Sequence, residues 1–94
     1  VVDYLIIPMK GTELESLKLT NELRKLGIKS DMDMSGKRIK KVMNYANKMN
    51  IRYVSIIGED EVEKGLIKVK EMKTGIEMEF GIDDYESISN FLQI

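Results

Sequence analysis

Lys37-Arg38-Ile39-Lys40-Lys41 and Glu59-Asp60-Glu61-Val62-Glu63 are dense runs of opposite charge in a chain whose net charge is only −1. The basic run opens a longer block, since Lys48 and Arg52 follow and no acid lies between Lys37 and Arg52. After Ile76 the sign reverses, and Glu77, Glu79, Asp83, Asp84 and Glu86 meet no base. A basic block in a near-neutral chain points to a local anionic partner; its plain alternative is a solvated helix face. The acidic turn has three readings. It offers oxygen ligands to a metal, although it lacks the spacing of a calcium loop. It is equally an ordinary solvated turn. As a base reader, one carboxylate accepts hydrogen bonds from guanine N1–H and N2–H2, paired donors that an unpaired nucleotide exposes.

The chain has no histidine and no cysteine. That removes Ser-His and Cys-His nucleophile pairs, thiolate chemistry and zinc sites of the common kind. Carboxylates, lysines and tyrosines remain, and these build every ordinary surface. The expectation is a binding module without an active site or cofactor of its own. Residues 1–94 make a single domain, and 43% hydrophobic with 33% charged residues suits an ordered globule. No apolar run approaches the ~20 residues that span a bilayer, so no membrane partner is expected. The absence of cysteine fits a cytoplasmic chain. An opening Val-Val-Asp-Tyr, without Met, is expected of a segment of a longer protein.

Apolar runs and turn residues predict the elements that must position these charges. Tyr4-Leu5-Ile6-Ile7, closed by Pro8, reads as a buried strand. Gly11 and Thr12 open a helix to about Leu26, stopped by Gly27, with Ser16, Leu19, Thr20, Leu23 and Leu26 on its inner face. Ile28, Ser30, Met32 and Met34 alternate with Lys29, Asp31 and Asp33, as in an edge strand. Ser35 is placed to cap a second helix whose apolar stripe is Ile39, Val42, Met43, Ala46 and Met49. Tyr53 to Ile57 is another buried strand, ended by Gly58. The 59–64 segment is a polar turn or a single helical turn, stopped by Gly65. Leu66–Met72 and Ile76–Phe80 alternate around Lys73-Thr74-Gly75, giving an antiparallel hairpin. Asp83 with Glu86 is a capping box for a last helix carrying Tyr85, Ile88, Phe91 and Leu92.

Right-handed crossovers on either side of the first strand give the local order 2-1-3. Three loops (Pro8–Thr12, Asp33–Arg38 and Gly58–Glu61) then meet at one carboxyl rim, beside a topological switch point. That rim brings the basic helix start next to the acidic turn. Cations crowding a helix N-terminus are unfavourable by a few tenths to ~1 kcal/mol each unless an anion arrives, and the N-terminus itself attracts anions. Tyr45, on the same flank as Arg38, either stacks on a base or covers the core edge. Lys68 and Lys70 pair plainly with Glu77 and Glu79 across the hairpin. Most of the seven methionines fall on apolar phases, as core filling. Leu14 and Leu17 face away from the first helix's inner stripe.

Five stretches resemble, in register, the C-terminal anticodon-binding domain of class II aminoacyl-tRNA synthetases. They are Glu22-Leu23-Arg24-Lys25-Leu26-Gly27-Ile28, Ser35-Gly36-Lys37-Arg38-Ile39-Lys40-Lys41, Tyr45-Ala46-Asn47-Lys48, Ile56-Ile57-Gly58-Glu59-Asp60-Glu61 and Gly65-Leu66-Ile67-Lys68-Val69-Lys70. Threonyl, prolyl and glycyl enzymes share the fold, but Ser-Gly-Lys-Arg with Tyr-Ala-Asn-Lys is most similar to the histidyl-tRNA synthetases. The resemblance implies a three-layer α/β/α domain with a mixed five-stranded sheet and three helices. It implies binding of a tRNA anticodon stem-loop, that of tRNA-His, by the non-catalytic domain of a homodimeric histidine–tRNA ligase. ATP, Mg and the chemistry then belong to a separate catalytic domain. It places base reading on Glu61, the last residue of the Gly-x-x-Glu turn, and on Lys70, nine positions later. Some relatives carry arginine at the latter position, and lysine lacks its bidentate fork. Lys37, Arg38 and Lys41 would hold anticodon-loop phosphates. Two alternatives stand beside this reading. One is an interaction or dimerisation module of a synthetase-like paralogue without RNA binding, motivated by Leu14 and Leu17. The other is a small enzyme or a metal-dependent switch using Asp31, Asp33 and the 59–63 carboxylates.

Overall fold

The computed structural model describes residues 2–92. In chain order the elements are β1 (Tyr4–Pro8), α1 (Glu13–Lys25), β2 (Ser30–Met32), α2 (Ile39–Lys48), β3 (Tyr53–Ile57), α3 (Glu59–Lys64), β4 (Leu66–Glu71), β5 (Glu77–Gly81) and α4 (Tyr85–Leu92). They form one five-stranded sheet in the order β2-β1-β3-β4-β5. β1 is parallel to β2 and β3, whereas β4 runs antiparallel to β3 and β5, so the sheet is mixed as expected. The acidic turn closes into the short helix α3, and Gly65 ends it in a left-handed conformation (φ 69°) that favours glycine.

Strand alternation sends side chains to two cores. Tyr4, Ile6, Tyr53, Ile57, Ile67 and Val69 pack beneath Leu19 and Leu23 of α1 and Ile88 and Leu92 of α4. Leu5, Ile7 and Val54 pack on the other face beneath Val42 and Ala46 of α2. On that second face β4 and β5 present Lys68, Lys70, Glu77 and Glu79, whose register pairs them across the ladder. This part of the sheet lies open. Among the described residues, no helix is long and apolar enough to cross a membrane.

β3 and β4 pair only at Tyr53–Glu71 and Val54–Lys70. Beyond that rung a buried hydroxyl chain spans the junction: Tyr4 Oη donates to Ser55 Oγ at 2.6 Å, and Ser55 Oγ donates to the Lys68 carbonyl at 2.6 Å. Burial pushes the Tyr4 phenol far above its ordinary value, with the Ser55 hydrogen bond a smaller opposing effect. The unfolded chain loses that proton near pH ~10 while the folded chain keeps it. The folded state therefore binds more protons above that pH, and stability falls by up to ~1.4 kcal/mol per pH unit. Urea unfolding at increasing alkaline pH should show this decline, and Tyr4→Phe should remove most of it. Tyr85, raised by its partial burial and then by Glu22, leaves a smaller residual slope.

Several expected positions move. Leu26 is 52% exposed because it is the residue after α1, where the chain already turns away. β2 stops at Met32, leaving Met34 exposed; Met49 and Met78 are exposed too, so core filling holds for Met32 and, partly, Met43 and Met72. The α4 cap comes from Asp84 rather than Asp83, since Asp84 Oδ1 accepts the Ser87 N–H at 3.3 Å.

Candidate functional site

The three rim loops are tied to the sheet ends. Met9 N–H donates to the Ile57 carbonyl at 2.8 Å, and Asp33 N–H to that of Ile6 at 2.8 Å. The buried Thr12 hydroxyl lies 2.7 Å from the Ile57 carbonyl and 2.8 Å from that of Met9, so its one proton is shared between them. The β1–α1 turn is thereby clamped to the end of β3, which launches Glu61.

α2 starts later than its sequence suggests. Arg38 is its N-cap residue and makes no side-chain capping bond, and the first turn contains no acid. Ser35, the expected cap, is spent inside the preceding turn: its hydroxyl donates to Asp33 Oδ2 at 3.1 Å and accepts the Lys37 N–H at 3.2 Å. Lys37 and Arg38 thus precede the helix, and Lys40 and Lys41 lie in its first turn, all exposed. Lys37, Lys41 and Tyr45 line a cleft of about 920 Å³. Its acids are already engaged, because Asp31 is ion-paired to Arg24 at 3.1 Å and Asp33 holds Ser35. Arg38 lies beside this cleft in sequence but does not line it.

Glu61 is half-buried and held from one side. Its Oε1 accepts the Gly58 N–H at 2.6 Å, capping the start of α3. A Cβ on Gly58 would sit 2.9 Å from that oxygen, so any larger residue there would push the Glu61 carboxylate away. Oε2 has no protein partner among the described residues. Glu61 and Lys70 meet in a groove of about 430 Å³ over the open sheet face, floored by Val54 and Ile56 and walled by Met43 of α2. Lys64, three residues after Glu61 on the same helical turn, also lines it. Its position after the Gly-x-x-Glu turn was the available signal for a residue the sequence reading left aside. Gly58→Ala should displace Glu61 and lower stability by about 1 kcal/mol, a typical capping loss. Glu61→Gln keeps an acceptor for Gly58 N–H and should stay within about 0.5 kcal/mol of wild type in urea unfolding.

The basic start of α2 and the acidic turn share a rim, but they do not sit side by side. Lys37, Lys41 and Tyr45 line one cleft, while Glu61 and Lys70 line the other, and α2 contributes to both. A ligand that engages both sets must cross the helix. No three acidic side chains among the described residues come together to hold a metal ion.

The family model for the anticodon binding domain matches residues 3–89. The chain belongs to the anticodon-binding domain family. Over 91 residues, 96% of its length, this anticodon-binding domain is 41% identical to histidine–tRNA ligase 1 of Bacillus cereus. It spans 20% of that relative's length. It superposes on histidyl-tRNA synthetase from Nostoc sp. PCC 7120 with a TM-score of 0.86 at 24% identity, covering 97% of this chain and 22% of that one. Prolyl-tRNA synthetase from Cryptosporidium parvum gives a TM-score of 0.87 at 18% identity, covering 98% and 22%. A prolyl enzyme matches as well in shape as a histidyl one, so these likenesses carry the fold and not the amino acid.

Proposed function

We propose that this anticodon-binding domain serves a histidine–tRNA ligase, holding the anticodon stem-loop of tRNA-His while a separate catalytic domain performs aminoacylation. The whole enzyme is a cytoplasmic homodimer in this reading. The observation that carries it is the 41% identity to a histidine–tRNA ligase over nearly the entire chain.

The geometry supports a division of labour. Lys37, Arg38 and Lys41 offer exposed cations at an uncapped helix start, suited to loop phosphates. Glu61 and Lys70 face one groove with a free carboxylate oxygen and an ammonium, suited to the edges of unpaired bases. Tyr45, 53% exposed beside Lys41, presents a ring on which a base can stack. The exposed Leu14 and Leu17 are the observation behind the alternative of an interaction module, which identity to histidine–tRNA ligases does not favour.

Titrating the chain against tRNA-His anticodon stem-loop and an anticodon-swapped stem-loop tests the proposal. The expected result is tighter binding of the cognate loop, weakened for both loops by salt. Equal affinities would remove base reading. Failure to bind either loop at low salt would remove the RNA function.

A further inference from the structure

We infer that Glu77 and Glu79 are specificity residues that keep the RNA backbone off the open sheet face, so that bases rather than phosphates enter the Glu61 groove. This rests on the RNA-binding reading above.

The two clefts flanking α2 are each lined by equal numbers of acids and bases, but they arrange them differently. On the α2 side Lys37 and Lys41 share the cleft with Asp33 and with Asp31, which is ion-paired to Arg24 outside it, and the exposed Arg38 and Lys40 add two further cations at a helix start whose first turn has no acid. The groove on the other side contains Lys64, Lys68 and Lys70 together with Glu61, Glu77 and Glu79, a neutral balance. The hairpin register places Glu79 opposite Lys68 and Glu77 opposite Lys70. Residues opposite one another share a sheet face, so both carboxylates stand over the groove. The ion pairs among the described residues are Arg24–Asp31 and Lys25–Glu22, and neither involves a groove residue.

Such a groove treats the parts of a nucleotide differently. A phosphate brings a full negative charge, and the three carboxylates oppose the attraction of the lysines. A base brings donors, acceptors and a flat apolar face, and it finds carboxylates, ammonium groups and a floor of Val54 and Ile56. Without Glu77 and Glu79, three lysines on one surface would attract any RNA backbone. With them, the backbone is directed to the cationic start of α2, and the bases turn inward. Specificity here comes from repulsion of the wrong group as much as from attraction of the right one.

The test compares wild type with Glu77→Gln/Glu79→Gln on three labelled probes: the tRNA-His anticodon stem-loop, the anticodon-swapped stem-loop and single-stranded oligouridylate. The variant should bind the swapped loop and oligouridylate roughly threefold to tenfold more tightly at low salt, in line with two exposed charge interactions. Its affinity should also fall more steeply with salt, and discrimination between the two loops should narrow. Adding Lys68→Gln and Lys70→Gln should restore weak non-cognate binding. Glu86→Gln, an exposed charge change on α4 outside the groove, should have little effect. Urea unfolding of each variant verifies that it remains folded. Unchanged non-cognate affinity in the double variant overturns the inference. So does a loss of cognate affinity, which would make the two glutamates base readers instead. A wild-type chain that binds none of the probes overturns the RNA-binding reading and this inference together, and that outcome is visible before any variant is compared.

Discussion

Lys37→Gln, Arg38→Asp and Lys41→Gln combined are expected to weaken binding of any anticodon stem-loop by about one to two orders of magnitude at low salt, and to flatten its salt dependence by about 2–3 in the slope of log affinity on log salt. The three residues are exposed, and none is buried against the core, so the loss should be electrostatic. Discrimination between loops should survive, because Glu61 and Lys70 occupy the other cleft. Stability should move in the opposite direction. α2 begins with an uncapped arginine and a first turn free of acids, an arrangement the helix dipole disfavours. An aspartate at position 38 supplies an N-cap acceptor worth about 1 kcal/mol. A variant that unfolds at higher urea yet binds RNA poorly would show that this helix start trades stability for anion binding. A variant that is less stable, or that binds as before, would show that these cations are only a solvated face.

The parts of this site legible from sequence were those set by local pattern and chain topology. Two short apolar runs and right-handed crossovers were enough to place β2, β1 and β3, and thus to bring three loops to one rim. The turn between Gly58 and Gly65 was also legible as an acidic segment, but only the family resemblance singled out Glu61 within it. What failed was chemistry decided by tertiary position. Ser35 has the composition of a helix cap, but Asp33 and the Lys37 N–H claim its hydroxyl before the helix begins. Asp83 and Asp84 are identical in type, and the cap falls to the one whose register buries Ile88 and Leu92 beneath the sheet. The separation of the two clefts was also hidden. It depends on where the body of α2 lies across the sheet, and a periodicity of apolar residues names the buried face without saying which strands it covers. The methionine phases show the same limit, since Met49 keeps the helical period of α2 yet sits past its end, 52% exposed.

Ser55→Ala is expected to destabilise the chain by about 2–4 kcal/mol, a large share of the roughly 5–15 kcal/mol that holds small domains together. Ser55 is 2% exposed and Tyr4 fully buried, so neither hydroxyl has water as a substitute partner. Removing the serine oxygen leaves the Tyr4 Oη without an acceptor and the Lys68 carbonyl without its donor. Leaving one buried polar group unsatisfied costs about 1–3 kcal/mol. Tyr4→Phe is the contrasting change, because Ser55 can still donate to Lys68 and only the terminal hydroxyl is lost. It should cost about 0.5–1.5 kcal/mol. Once Ser55 is alanine, Tyr4→Phe removes an orphaned donor instead of a satisfied one. The double variant should therefore be more stable than the sum of the single losses predicts, with a coupling of about 1 kcal/mol or more. Urea unfolding of the four proteins closes this cycle. Additive losses, or a Ser55→Ala variant no weaker than Tyr4→Phe, would show that the hydroxyl chain does not hold the β3–β4 junction. The junction matters to the groove because Lys68 and Lys70 sit on the strand it anchors. Their distance from Glu61 is set where the two strands part, at a serine whose role no local motif announces.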